Sequence, residues 1–365
     1  MKKLRIGHIA YTYKPLIGGA ETYLSNLLDL LSQRVSSQRV YQAKNNWAKG
    51  KELKLVPVWK IFRRKPLYFY NILLNLYFPS LMKEDVLIVS DPFHFWPVFW
   101  HPHTVVISHG IRWDRPQKSE ALYRGVHLAS AKFAMKFAHK IVANDSNFYR
   151  SLGIPLKPKE GMFSEVVKNR WFIPNCVDTK IFTKTKTFGD LVNLNPILVP
   201  RNIVRGRGIH LALEAFKDFN KRYKYTNLVI CGGASDPNYI VEIYQQIHNL
   251  NLVGKVYFLG SVNWKEMPKI YSSSLMSVIP TLYEEGTSLS ALESMSCGVA
   301  TLSTNVGGLP DLPTIKSSVD PMELAQKMVY VFKNRDKIAK EQLSEVRKTY
   351  NLKNFKQAWF KVIGE

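Results

Sequence analysis

Residues 284–311 read EEGTSLSALESMSCGVATLSTNVGGLPD, and this stretch with its flanks decides the fold. The apolar run at 276–280 predicts a strand that ends just before it, the periodicity of 288–297 predicts a helix, and 300–303 predict a second strand. A strand, a crossover helix and a strand in this order form the unit from which parallel α/β sheets are built. The stretch therefore predicts a doubly wound domain whose ligand lies beyond the carboxyl ends of its strands.

The same alternation of strand and helix signals runs through the rest of the chain. It predicts strands at 4–11, 86–90, 104–108, 140–143, 197–200, 227–231 and 256–259, and helices at 20–31, 121–138, 208–221, 239–249 and 266–273. Residues 32–85 lack the strand pattern that usually follows a first helix. We therefore expect an α/β protein with parallel sheets in both halves of the chain.

The polar, lysine- and threonine-rich stretch 183–190 has no apolar period, which favours a domain boundary within it. We predict two Rossmann-like domains, an acceptor-side domain at 1–185 and a donor nucleotide-sugar domain at 186–345. The C-terminal helix at 346–365 is expected to cross back to the first domain. Two such domains would face each other across a cleft.

Two carboxylates flank the start of the helix at 288–297. Glu285 directly precedes it, and Glu293 lies about a turn and a half into it. Carboxylates accept strong hydrogen bonds from sugar hydroxyls, and the free amides of a helix N-terminus favour a phosphate group. The alternative interpretation is a solvated loop glutamate followed by an ordinary helix glutamate.

The whole stretch 284–311 resembles the donor motif of glycosyltransferase family 4, whose members have the GT-B fold and retain the sugar's configuration. The resemblance rests on two glutamates eight positions apart, and Gly307 and Gly308 match the family's following loop, whereas Asp311 stands where a glutamate is common. It implies that Glu285 contacts the transferred sugar and that Glu293 contacts the ribose. It also implies a phosphate-cradling turn, made of Gly286, Thr287, Ser288 and Leu289.

Residues 198–216, LVPRNIVRGRGIHLALEAF, resemble the basic diphosphate loop of the same family. The resemblance assigns Arg201 and Arg207 to the diphosphate, with Arg205 as a third candidate. Preorganised cations lower the barrier because the leaving diphosphate gains negative charge in the transition state. The alternative is a set of surface arginines on a solvated loop.

In the first half, Gly18 and Gly19 lie between the first strand and the first helix, where glycine permits close approach of a ligand. A simple strand-to-helix turn is the alternative, but the position matches the family's donor-facing loop. His109 follows the strand at 104–108 and resembles the family histidine that contacts the donor sugar. Histidine titrates near neutrality, so assistance in acceptor deprotonation stays open.

The charge of the chain is unevenly distributed. Of the formal net charge of +23, residues 1–189 carry +18, from 30 Lys and Arg against 12 Asp and Glu. Residues 53–83 combine Trp59, Lys60 and the basic run 63–65 with many aromatic residues, which is typical of contact with an anionic membrane. A solvated basic face over buried aromatics is the equal alternative. No nucleic-acid partner is expected, because no nucleic-acid-binding motif accompanies the charge.

Three scattered cysteines without CxxC pairing, and a first segment that reads as a strand, favour a cytoplasmic protein. Peripheral contact with the inner face of a membrane stays open. The apolar stretch 67–82 is too short and too interrupted to span a bilayer. No DxD motif occurs, so we expect no cofactor and no metal ion.

Together these features predict a retaining, metal-independent hexosyltransferase. Its expected partners are a UDP- or GDP-linked sugar donor and a glycan or lipid-linked acceptor. Two alternatives stay open: a GT-B-like nucleotide-sugar epimerase, and a basic membrane- or nucleic-acid-binding module that has lost catalysis. The nucleotide base, the sugar, the acceptor and the oligomeric state are not readable from the sequence.

Overall fold

The structure, a computed structural model, describes residues 3–16, 18–58 and 66–364. The chain divides into two compact units. The first comprises Met1–Pro174 and Lys356–Glu365, and the second comprises Asn175–Phe355. Each unit contains its own sheet.

The sequence-based boundary at 185/186 differs from this division, in which the chain changes unit after Pro174. Hydrogen bonds tie the intervening segment to the second unit. The amide of Phe188 donates to Ser273 Oγ at 2.8 Å, and Ser296 Oγ donates to the carbonyl of Phe182 at 2.5 Å. The polar composition of 183–190 thus marks an exposed connection that runs along the second unit.

The sheet of the first unit has the order β3-β2-β1-β4-β5-β6-β8-β7 among the described residues, and every pairing except β7 with β8 is parallel. Its strands are β1 (Arg5–Ile9), β2 (Ser37–Ala43), β3 (Leu53–Val56), β4 (Val86–Val89), β5 (Thr104–Ser108), β6 (Lys140–Ala143), β7 (Ser164–Val167) and β8 (Arg170–Phe172). Its helices are α1 (Gly19–Leu31), α2 (Pro66–Leu74), α3 (Phe78–Leu81), α4 (Ala121–Phe137) and α5 (Ser146–Ser151).

Strands β2 and β3 lie within residues 32–85, where the sequence lacks the usual strand pattern. The polar side chains of β2 hide the usual apolar pattern because their partners come from distant positions. Arg39 pairs with the buried Glu84 at 2.7 Å, and Gln42 accepts a hydrogen bond from the amide of Lys14 at 2.9 Å. Paired in this way, the polar groups do not oppose burial of the strand.

The sheet of the second unit, also within the described residues, has the order β11-β10-β9-β12-β13-β14 and is parallel throughout. Its strands are β9 (Pro196–Val199), β10 (Asn227–Cys231), β11 (Val256–Gly260), β12 (Met276–Ile279), β13 (Thr301–Thr304) and β14 (Ile315–Ser317). Its helices are α6 (Ile209–Arg222), α7 (Pro237–Asn249), α8 (Met267–Ser272), α9 (Leu289–Ser296), α10 (Pro321–Lys333) and α11 (Arg335–Thr349). The last helix, α12 (Leu352–Ile363), carries the chain from the second unit back into the first.

Both sheets therefore have the doubly wound arrangement that the sequence predicts. In the second unit the strand order reverses between β9 and β12, and in the first it reverses between β1 and β4. Open α/β sheets bind ligands at such switch points, beyond the carboxyl ends of the strands. We therefore expect the residues that bind ligand to lie in the loops that follow β1, β4, β9 and β12.

Candidate active site

The switch point of the second sheet brings together the loops that follow β9 and β12. Arg201 lies just beyond β9, and Thr281 and Glu285 lie in the loop beyond β12. Thr281 and Glu285 are buried, and so is Arg201, although it is an arginine. Buried charges are stable only when they are paired, so the interactions of these three residues must be considered together.

The carboxylate of Glu285 is the centre of that cluster. Its Oε2 accepts hydrogen bonds from Arg201 Nη2, from Arg207 Nη1 at 2.6 Å and from Thr281 Oγ1 at 3.2 Å. Arg207 also donates to the carbonyl of Glu284 at 3.0 Å. The structure thus brings three of the predicted site residues, Arg201, Arg207 and Glu285, into direct contact.

The charges of this cluster do not cancel. Burial alone would raise the pKa of Glu285, but the adjacent Arg201 and Arg207 outweigh it and hold the pKa below its usual value. Burial lowers the pKa of Arg201, yet an arginine remains protonated at neutral pH. Two cations and one anion leave a net positive charge at the switch point.

The N-terminus of α9 adjoins the same cluster. Arg201 Nη1 donates to Ser288 Oγ at 3.2 Å and to Ser290 Oγ at 3.3 Å, which links the loop after β9 to the first turn of the helix. Gly286, Thr287 and Ser288 are buried in the turn that opens α9, and Leu289 is its first residue. The predicted phosphate turn therefore lies beside the two arginines.

The loop that contains Gly307 and Gly308 packs against the backbone of Glu285. The amide of Gly308 donates to the carbonyl of Glu285 at 2.9 Å. Gly307 has φ +56°, and a Cβ on it would lie 2.2 Å from that carbonyl oxygen. The family-like glycine pair 307–308 thus serves close backbone packing against the site.

Glu293 makes a separate contact within the second unit. Its Oε2 accepts a hydrogen bond from the hydroxyl of Tyr271, which is fully buried, at 2.8 Å. Burial raises the pKa of Glu293 to about 7, and the hydrogen bond from Tyr271 opposes this shift only in part. Glu293 therefore keeps its proton to a higher pH than an ordinary glutamate does.

Arg205, the third candidate of the basic loop, is directed elsewhere. Its guanidinium pairs with Glu242 at 2.6 Å and lies over the ring of Tyr239 at 5.0 Å from the centroid. It makes no hydrogen bond to Glu285, whose donors in the described chain are Arg201, Arg207 and Thr281. Of the loop's arginines, only Arg201 and Arg207 belong to the cluster.

Of the predicted residues of the first unit, Gly18 and Gly19 follow β1 at the switch point of its sheet, whereas His109 follows the next strand along, β5. Gly18 is the N-cap of α1 and Gly19 its first residue, and both are exposed. The loop before them is held by Gln42, which is fully buried and bonds both to the amide and to the carbonyl of Lys14. The two glycines thus begin a helix from an anchored loop.

His109 follows β5, and its ring packs edge-on against Tyr23 with centroids 5.0 Å apart. Burial lowers the pKa of His109 to about 4, and the nearby Asp91 offsets this only in part. Its Nε2 atom is buried without a hydrogen-bond partner in the described part of the chain. His109 is consequently a neutral imidazole at neutral pH.

Sequence reasoning missed Asp91, Thr281 and Tyr271. Asp91 lies after β4, and its carboxylate caps the turn at Phe93 and pairs with Arg112 at 2.9 Å. His109 was assigned from its resemblance to the family histidine, whereas Asp91 and Thr281 share with it only the position of a polar residue just past a buried strand. Tyr271 carries no such signal, because its partner Glu293 is distant in sequence.

Residues 3–16, 18–58 and 66–364 contain no group of three or more His, Cys, Asp or Glu side chains arranged to hold a metal ion. In the same part of the chain, no helix combines the length and apolarity needed to cross a membrane.

The chain is similar to known proteins in part of its sequence and in its fold. Residues 189–346 match the family model described as Glycosyl transferases group 1. Solved structures that align with almost the whole chain have two Rossmann-like sheets of the same kind, which is the GT-B fold. Residues 189–346 are therefore similar to a glycosyl transferases group 1 domain, and the chain has the GT-B fold.

Individual proteins are similar to parts of the chain or to its fold. An uncharacterised glycosyltransferase of Methanocaldococcus jannaschii is 32% identical over 144 residues, covering 39% of this chain and 33% of that protein. A subunit of the human phosphatidylinositol N-acetylglucosaminyltransferase is 26% identical over 188 residues, covering 49% of this chain and 37% of that protein. The chain thus spans about a third of the length of these two relatives.

Among solved structures, Anabaena HepE in complex with UDP and glucose has a TM-score of 0.77 at 16% sequence identity. The alignment covers 99% of this chain and 100% of that chain. At this identity the likeness is one of fold.

Proposed function

We propose that the chain is a glycosyltransferase of family 4 that transfers a hexose from a UDP- or GDP-linked sugar to a carbohydrate or lipid-linked hydroxyl. The transfer retains the configuration of the sugar and needs no metal ion. The observation that carries the proposal is the convergence of Arg201 and Arg207 on Glu285 at the switch point of the second sheet, beside the start of α9.

The arginine pair suits a leaving diphosphate. Arg207 is about a third exposed, so an incoming phosphate can reach it, whereas Arg201 is buried and already fixed by hydroxyl groups. Cations held in place before the reaction stabilise developing negative charge without reorganisation. In this proposal they supply the charge stabilisation for which other transferases use a divalent ion.

The two glutamates suit the hydroxyl groups of the donor. Glu285 stays ionised beside the arginines and orients them, and as an acceptor it receives hydroxyls of the transferred sugar. Glu293 receives the ribose hydroxyls, which would stabilise its ionised form. Donor binding is then coupled to the release of a proton from Glu293.

His109 is proposed to position the sugar through its buried Nε2 atom. Because its pKa is about 4, it is a weak base at neutral pH, which disfavours acceptor deprotonation as its main role. The glycine pair Gly18 and Gly19 is proposed to approach the donor closely through the backbone.

The names of similar proteins agree with this assignment. HepE was solved with UDP and with UDP-glucose, and the human relative is named for transfer of N-acetylglucosamine to phosphatidylinositol. They support a nucleotide-sugar donor and a glycan or lipid-linked acceptor. We place the protein in the cytoplasm, a proposal supported by three cysteines that are free and buried in the described chain.

The proposal is tested with a matched pair of arginine variants. Binding of UDP, GDP and ADP is measured by calorimetry for the wild type, for Arg207→Ala and for Arg205→Ala. Loss of a direct phosphate contact weakens binding of the preferred nucleotide about tenfold or more in Arg207→Ala. Arg205→Ala removes an equal charge from the same loop and leaves the affinity unchanged, because Arg205 pairs with Glu242.

Equal affinities of the wild type and Arg207→Ala would contradict the proposed diphosphate site. Product analysis with the preferred nucleotide sugar decides the reaction class. If the donor is converted to an isomer without any acceptor, the protein is an epimerase and not a transferase. Absence of nucleotide binding in the wild type would favour a module that has lost catalysis.

A further inference from the structure

One helical layer of the first unit is formed by segments that lack acidic residues. Residues 66–82, 92–100 and 121–137 contain no Asp or Glu, and they carry Arg124, Lys132 and Lys136. They comprise α2, α3, the 3-10 turns Pro92–His94 and Trp96–Val98, and α4. A surface layer of this length normally mixes both signs of charge, so the composition is unusual.

The inner sides of these segments share one core over the sheet. Tyr70, Leu81, Phe95, Val98 and Ala134 belong to the same buried cluster. The segments therefore lie side by side on one face of the sheet, and their outer sides form one surface.

That outer surface is rich in exposed apolar side chains. We call it the aromatic face, and define it by the following side chains with their exposed fractions: Ile72 (54%), Leu76 (65%), Phe78 (46%), Met82 (53%), Trp96 (42%), Phe99 (52%) and Phe137 (48%). Single exposed apolar residues are ordinary, whereas a contiguous group marks an interaction site.

Ring contacts link several members of the aromatic face to one another through neighbouring aromatic residues. Phe78 on α3 packs against Trp100 with centroids 4.6 Å apart, next to the turn that carries Trp96 and Phe99. Phe99 contacts Phe133 of α4 at 5.7 Å. Phe133 in turn contacts Phe137 at 4.7 Å. Because Phe99 and Trp100 are neighbours in sequence, the two groups of contacts together extend from α3 to the end of α4.

Cations border this apolar surface. Lys136 lies over the ring of Phe137 at 5.1 Å from the centroid, and Lys83 and Lys132 are exposed. The basic run that precedes α2, with Trp59, Lys60 and 63–65, lies outside the described residues. The aromatic face is defined without it.

We propose that the aromatic face docks onto the interface of a lipid bilayer that contains anionic phospholipids. Exposed aromatic and aliphatic side chains enter the boundary between headgroups and acyl chains, and the bordering lysines contact anionic headgroups. The first half of the chain is strongly basic, since residues 1–189 carry +18, and this charge favours such a surface. This surface is independent of the proposed glycosyl transfer.

A second copy of the chain fits this face less well. A two-fold contact places the same patch of each copy against itself, so Lys132 and Lys136 of both copies would enter one interface. No carboxylate within the three segments could compensate the repulsion of these lysines, because they contain none. An anionic lipid surface meets both the apolar and the basic parts of the face.

The test uses co-sedimentation of the full chain with phosphatidylcholine vesicles, with and without phosphatidylglycerol. The wild type is expected to bind the anionic vesicles and to bind less at high salt. Leu76→Glu combined with Phe99→Glu lowers the vesicle partition coefficient about tenfold or more, because it places charge in the apolar surface. Lys132→Ala combined with Lys136→Ala lowers it selectively for anionic vesicles.

Matched controls lie in the second unit. Val253 and Tyr330 are 71% and 52% exposed, so Val253→Glu with Tyr330→Glu introduces the same charge at similarly exposed sites. Lys337→Ala with Lys340→Ala is the control for the lysine pair. Circular dichroism and nucleotide affinity, unchanged in all four variants, show that folding and the donor site are intact.

Trp96 provides a direct reporter of insertion. Vesicles with brominated acyl chains quench tryptophan fluorescence in the wild type, and Trp96→Phe loses part of this quenching. The proposal is overturned if the wild type stays in the supernatant with anionic vesicles, or if the Leu76/Phe99 variant binds as well as its control. A wild-type dimer in solution that this variant converts to monomers would assign the face to a second copy instead.

Discussion

The charge of Glu285 is compensated by two arginines that differ in burial. This difference predicts that removing each arginine lowers the free energy of unfolding by a different amount. Arg201 is 8% exposed, whereas the side chain of Arg207 is 31% exposed. Arg201→Ala leaves a buried carboxylate poorly compensated and is expected to lower the free energy of unfolding by about 3 kcal/mol. Arg207→Ala lowers it by about 1 kcal/mol. Urea denaturation of both variants measures the difference.

A double variant tests the reason for this inequality. If the cost of Arg201→Ala comes from the uncompensated charge of Glu285, then adding Glu285→Gln restores part of the lost stability. A double variant less stable than Arg201→Ala alone would show that the cost comes from lost packing and hydroxyl contacts instead.

Glu293 predicts a pH dependence of stability with a definite sign. Its pKa rises from an ordinary value of 4.5 to about 7 on folding, because burial disfavours the carboxylate. Between these values the unfolded chain has lost the proton while the folded chain keeps it. The free energy of unfolding therefore falls as pH rises through this interval, by about 2–3 kcal/mol from this group.

Glu293→Gln removes this contribution, and denaturation series at about pH 5 and about pH 8 measure it. Glu341→Gln, an exposed position on α11, is the control for loss of a carboxylate. If the variant shows the same decline as the wild type and the control, the decline originates elsewhere in the molecule.

At the level of elements, the start of α6 is packed against the end of β12 through Gly208. This residue has φ +70°, and a Cβ on it would lie 1.8 Å from the carbonyl oxygen of Pro280. Gly208→Ala is therefore expected to separate the two loops that hold Arg207 and Glu285. It should lower the free energy of unfolding by more than about 3 kcal/mol and weaken nucleotide binding.

Gly254→Ala is the control for the backbone conformation alone. Gly254 has φ +76°, and no heavy atom of the described chain lies within 4 Å of the position that its Cβ would occupy. It should cost about 1–2 kcal/mol through the left-handed conformation. If urea denaturation gives the same loss of stability for Gly208→Ala and Gly254→Ala, the close packing of Gly208 makes no additional contribution to stability.

At the level of the whole chain, the C-terminal helix α12 is part of the first unit. Trp359 is fully buried, and its Nε1 donates to the hydroxyl of Tyr23 on α1 at 2.9 Å. Trp359→Ala is expected to lower the free energy of unfolding by about 3–5 kcal/mol. Its neighbour Phe360 is only partly buried, so Phe360→Ala costs less.

Hydrogen exchange localises the effect of Trp359→Ala. Faster exchange is expected in α1, where Tyr23 loses its hydrogen bond from Trp359, and the amides of α6 serve as the internal reference. Faster exchange in α6 but not in α1 would contradict the assignment of α12 to the first unit.

Much of the fold was predictable from the sequence, for a physical reason. Buried parallel strands and amphipathic crossover helices leave periodic apolar patterns, so β5, β6 and β10 were predicted with the bounds that the structure has. Strand β2 was not, because its polar side chains are satisfied by residues such as Glu84 that are far away in sequence. Local patterns do not reveal long-range partners.

The sequence by itself determined which residues make up the proposed donor site: two glutamates, two arginines and the glycine that precedes the helix α9. Only the tertiary structure decided that Arg201 and Arg207 share one carboxylate oxygen of Glu285, and that Arg205 turns away to Glu242. It also decided that Glu293 has a pKa of about 7, because burial beside Tyr271 is not a property of the local sequence. Residue types follow from sequence, whereas charge states follow from which groups the folded chain brings together and removes from water.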